Sequence, residues 1–117
     1  MTEIDPTELG KALLKIWEQA DHNHKNYSAQ ATYEADLQFF ALGVAGESGE
    51  FANFVKKRTR DGTLYLQEMR YETSDILAYT LMAARHLGMT PLSLINTVAE
   101  KQNLFVKKQK KLRRAKI

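Results

Sequence analysis

Phe39-Phe40-Ala41-Leu42-Gly43-Val44-Ala45-Gly46-Glu47-Ser48-Gly49-Glu50-Phe51-Ala52-Asn53-Phe54-Val55 decides how the chain is read. Leu37, Phe40, Val44, Phe51, Phe54 and Val55 recur at three- and four-residue spacing, the repeat of one face of a helix. That periodicity predicts a long helix over about residues 30–60, with Lys56, Lys57, Arg58 and Arg60 complementing the dipole at its end. Glu47 falls inside the apolar arc and Glu50 lies three residues on at its edge, so two carboxylates project from one side.

The next segment repeats the anomaly. Asp61-Gly62 supplies turn chemistry, after which Tyr65, Met69, Ile76, Ala83 and Leu87 mark a helix closed by Gly88. Glu72 sits between Met69 and Ile76 on that helix's apolar face, and Asp75 stands three residues further at the border. Unpaired carboxylates buried in apolar surroundings neutralise, pair or coordinate a metal. Four acids converging from two helices therefore point to a hard divalent cation, with Mg²⁺ first because it prefers oxygen ligands and phosphates.

Outward from this pair, Asp5-Pro6-Thr7-Glu8 reads as a helix start: a cap, a proline at the first helical position and an early glutamate. Leu9, Leu13, Ile16, Trp17 and Ala20 continue it. The polar stretch 21–28 reads as a loop, and His22 and His24 are expected in solvent with no role. His86 is expected to cap a helix end. Thr90-Pro91 opens a last helix with Leu94, Val98, Phe105 and Leu112 on one stripe, where Lys101 shares the angle of Val98 and Phe105 and is expected to point inward toward a phosphate or an acid. No segment alternates like a strand, so the expectation is an all-α four-helix bundle in a single domain over 1–117.

Composition narrows the function classes. With 117 residues, 44% hydrophobic and 26% charged, the chain suits one folded domain. The absence of cysteine excludes disulfides and thiolate zinc sites. No apolar run is long enough to span a membrane and no secretory pattern opens the chain, so it reads as cytoplasmic. Residues 101–117 carry eight Lys and Arg and no acid, leaving 9 basic against 14 acidic residues before them, a net of −5. An acidic body that handles a polyanion needs metal to mediate; a basic tail, about 107–117, also suits nucleic acid. A di-iron bundle is set aside because no histidine follows a glutamate by three residues.

The two acid pairs carry a resemblance. Ala41 to Glu50, continuing through Phe51 to Val55-Lys56-Lys57, resembles the Leu-Gly-x-x-Gly-Glu-x-Gly-Glu segment of the all-α nucleotide pyrophosphohydrolases related to MazG and dCTP pyrophosphatase. Glu72-Thr73-Ser74-Asp75-Ile76-Leu77-Ala78-Tyr79 is similar to that family's second half-motif. The likeness spans roughly residues 39–105, with Val98, Ser74 and Ala78 standing where the family often has Asn, Gly and Trp. It implies that Glu47, Glu50, Glu72 and Asp75 bind Mg²⁺, with Mn²⁺ as a substitute, and that Glu47 or Glu50 orients the attacking water. It further implies hydrolysis of nucleoside triphosphates, dNTPs or non-canonical ones, to monophosphate and pyrophosphate for nucleotide-pool control, in a homodimer or homotetramer. Lys57 and Lys101 are the candidate phosphate contacts. The rival reading is a non-catalytic helical adaptor or nucleic-acid-binding module acting through the basic tail.

Overall fold

A computed structural model describes residues 6–116, and the fold is all-helical, with no strand among them. Helix α1 spans Pro6–Asn23, α2 Tyr33–Asp61, α3 Leu66–His86 and α4 Pro91–Ala115. Pro6 opens α1 as its fixed φ favours; the Asp5 cap lies outside the described residues. Thr32 caps α2 by accepting the Ala35 N–H at 3.1 Å. At the other end Gly62 adopts φ 74°, so its N–H reaches the Arg58 carbonyl at 2.8 Å. Thr90 and Ser93 form a reciprocal capping box at the start of α4.

Helices α2 and α3 form an antiparallel pair. His86 meets Tyr33, Tyr79 meets Phe39, and Tyr65 meets Phe54, from one end of the pair to the other. Phe40 is the largest fully buried side chain, at 1% exposure. Gly43 allows the helices to close. A Cβ there would collide with the Tyr79 ring, whereas one at Gly46 would meet nothing within 4 Å. Gly43→Ala should therefore cost about 1–3 kcal/mol of stability through overpacking, while Gly46→Ala should gain up to about 1 kcal/mol of helix propensity. Urea denaturation of the two variants checks this, since equal midpoints would contradict the close approach.

On the other side of α3, Leu81 and Ala84 join Trp17 and Ala20 of α1 in a buried cluster, with Met82, Met89 and Leu94 packed against it. Beyond Leu94, α4 leaves the rest of the molecule. Val98, Leu104, Phe105, Val106 and Leu112 are 46–59% exposed, and no residue of α4 is buried. Three helices thus pack together, and the expected four-helix bundle does not close within one chain.

The stretch 21–28 is not the expected loop. Helix α1 continues to Asn23, then widens into a π-helical turn, His24–Ser28. His24 is buried rather than solvated, at 9% exposure. Its Nδ1 is hydrogen-bonded with Ser28 Oγ at 2.9 Å, and its Nε2 lies 2.9 Å from Asp36 Oδ1, in ion-pairing range though without good hydrogen-bond alignment. Local polarity suggested a loop, but burial against Phe40, whose ring centroid lies 4.5 Å from that of His24, holds the segment helical. His22 is exposed as expected.

Candidate metal centre

One oxygen from each of Glu47, Glu50 and Glu72 lies within 4.8 Å of the others, a spacing that one cation could bridge. Each is placed by helical register. Glu47 follows Phe40 and Val44 on the stripe of α2 that faces α3, and Glu72 lies between Met69 and Ile76 on the opposing stripe. Glu47 and Glu72 are half-buried and Glu50 is exposed, so the group sits at the rim of the helix interface rather than in its core.

The electrostatics of the trio are unfavourable without a counter-charge. Hydrogen bonding to the Glu47 carboxyl, then burial, then Glu50 push the Glu72 carboxyl up from an ordinary 4.5 to about 7. Its Oε2 is closed to solvent and lacks a donor when all three groups are ionised; a shared proton supplies one, and a cation would replace that proton. Oxygen-only donors of this charge match a hard divalent ion.

The raised value carries a pH dependence. Folded protein retains a proton that the unfolded chain releases between about pH 4.5 and 7, so this group's contribution to stability grows as pH falls through 7 and is lost as pH rises through it. Metal-free protein should show a smaller Tm rise between about pH 7.5 and 5.5 once Glu72→Gln removes this titration. Identical pH profiles for the two proteins would contradict the shared proton.

Asp75 lies one turn beyond Glu72, exposed and outside the close trio, so three of the four expected ligands converge. Lys57 is half-buried, its ammonium 5.1 Å from the centroid of the Phe54 ring, two turns from Glu50. Lys101 does not point inward. It is exposed on the part of α4 that no other helix of the chain covers. An apolar stripe on α4 predicts that this face is covered; it does not say by which chain.

A second polar cluster lies at the far end of the α2–α3 pair and was not anticipated. Arg85 Nε bonds Asp21 Oδ1 at 2.8 Å, Lys25 reaches the other Asp21 oxygen at 3.0 Å, and His86 Nε2 meets the Tyr33 carbonyl at 2.9 Å. With His24 and Asp36 they line a cavity of about 380 Å³. The Gln30 N–H, and with it His24, hold the Asp36 carboxyl below its usual value. Asp36 stands four residues before Phe40 on the same stripe as Glu47, so the argument that singled out Glu47 applies to it equally. No protein-family model, curated protein or solved structure matches the chain.

Proposed function

We propose that this chain is a MazG-like, metal-dependent hydrolase that cleaves nucleoside triphosphates to nucleoside monophosphate and pyrophosphate. The convergence of Glu47, Glu50 and Glu72 within 4.8 Å is the observation that carries the reading, and the likeness of the two acid half-motifs supplies the reaction class. The donor set fits Mg²⁺, with Mn²⁺ as a substitute: all oxygen, clustered, and including one buried oxygen without a partner. Glu47, Glu50 and Glu72 would hold the cation, with Asp75 the next acid on the same helix. A bound cation of this kind neutralises phosphate oxygens and acidifies water. Glu47 or Glu50 would orient the attacking water, Glu50 being the exposed member, and Lys57 would offer a charge to the phosphate chain.

Two copies or four complete the proposal, since a long apolar helix face stands uncovered in the single chain. A panel of standard and damaged nucleoside triphosphates with Mg²⁺ tests the activity by pyrophosphate release. Orthophosphate alone, or no product, would count against it.

The adaptor reading keeps one supporting observation: Lys107, Lys110, Lys111 and Arg114 share one surface of α4. Changing these four to Gln should leave turnover within about two-fold, because such exposed charges act only through a screened field. A loss of salt-sensitive RNA or DNA binding with no triphosphatase activity in the parent would favour the adaptor instead.

A further inference from the structure

The chain exposes 9364 Å² of surface and has a radius of gyration of 17.8 Å. A compact monomer of its mass exposes about 6,500 Å² and has a radius near 13 Å. The excess of about 2,900 Å² per chain, about 5,800 Å² for two copies, reaches the upper end of what obligate interfaces bury. Its most prominent source is α4, whose exposed residues Ile95, Val98, Gln102, Phe105, Gln109 and Leu112 alternate at spacings of three and four. That is the pattern of a helix that docks along a seam.

Charge argues against a second α4 as the surface that receives it. Residues 101–117 hold eight cations and no acid, so pairing α4 with another α4 would set Lys101 and Lys108, which flank the seam, against their own copies. The rest of the chain carries −5. Between α1 and α3 runs a groove of about 380 Å³ lined chiefly by Ile16, Ala20, Leu77, Ala78, Leu81 and Met82, with Leu77 48% exposed. It is apolar, extends over about two helical turns, and belongs to the acidic body.

We propose that α4 of each copy docks, through Val98 and Phe105, into the α1–α3 groove of a second copy, giving a closed dimer with two exchanged helices. Reciprocal docking satisfies twofold symmetry, since each chain offers one helix and one groove. The proposal deepens the oligomer named above and is independent of whether the chain cleaves triphosphates.

Because the natural chain has no cysteine, introduced ones report without background. Leu77→Cys and Phe105→Cys are made separately in the full chain, mixed, allowed to exchange and oxidised, with mass read by light scattering before oxidation. The expected result is a dimeric mass and a disulfide-linked mixed dimer, with several-fold less linkage of either variant to itself. A monomeric mass overturns the proposal. So does preferential Phe105→Cys self-linkage, which would mean α4 pairs with α4, or a dimer with no mixed link, which would mean another surface is used. In the double variant, a cross-link within one chain at high dilution would show α4 folding back on its own groove and would overturn it too. Val98→Asp with Phe105→Asp should leave the helical circular dichroism in place and shift the mass to monomer.

Discussion

Glu72→Gln is expected to lower pyrophosphate release on the order of 10³-fold, each factor of ten corresponding to about 1.4 kcal/mol of lost transition-state stabilisation. Glu72 lies at the centre of the trio's electrostatics: its carboxyl is pushed up by both Glu47 and Glu50, and one of its oxygens is shut off from water. An amide cannot supply the negative charge that a divalent ion requires. It removes repulsion at the same time, so the Tm of the metal-free protein should be unchanged or higher while turnover with Mg²⁺ falls. Glu47→Gln should behave alike, and Asp75→Asn should cost less because Asp75 stands outside the trio. Rates measured with folding monitored by circular dichroism separate loss of the site from loss of the fold. Near-normal turnover in Glu72→Gln would move the chemistry elsewhere.

Phe40→Ala is expected to have the largest effect on stability, about 3–5 kcal/mol, a large part of the 5–15 kcal/mol typical of a whole domain. Phe40 is 1% exposed and packs against two members of the second polar cluster: its ring centroid lies 4.5 Å from that of His24 and 5.4 Å from that of His86. Truncation leaves a void between α2 and α3 and removes the wall against which the π-helical turn is packed. Phe40→Leu, which keeps most of the volume, should cost distinctly less. Urea unfolding followed at the helical band gives both values. A loss below about 1 kcal/mol for the alanine would contradict the described burial.

The sequence was most legible where local chemistry and periodicity agree. Thr90-Pro91 and Asp61-Gly62 mark ends that the structure places within a residue or two, because caps act through a few adjacent atoms. Glu47 and Glu72 stood out because a carboxylate on an apolar stripe has few inexpensive explanations. Residues 21–28 failed for the opposite reason. His22-Asn23-His24-Lys25-Asn26 is polar enough to read as loop, yet tertiary contacts at His24 override local preference. Lys101 failed through a different gap: helical angle tells which residues share a face, not whether the same chain covers that face. Asp36 was legible but overlooked, since it continues the stripe that exposed Glu47.

The most direct test of the central claim is Mn²⁺ binding, read as loss of the free-ion electron paramagnetic resonance signal in metal-stripped protein above about pH 7, where Glu72 has shed its proton. Wild-type protein should take up the ion, Mg²⁺ should compete for it, and Glu47→Gln and Glu72→Gln should bind at least about ten-fold more weakly. Uptake by both variants equal to that of wild type, or no uptake by the folded wild-type protein, would contradict the assignment of these carboxylates to a metal.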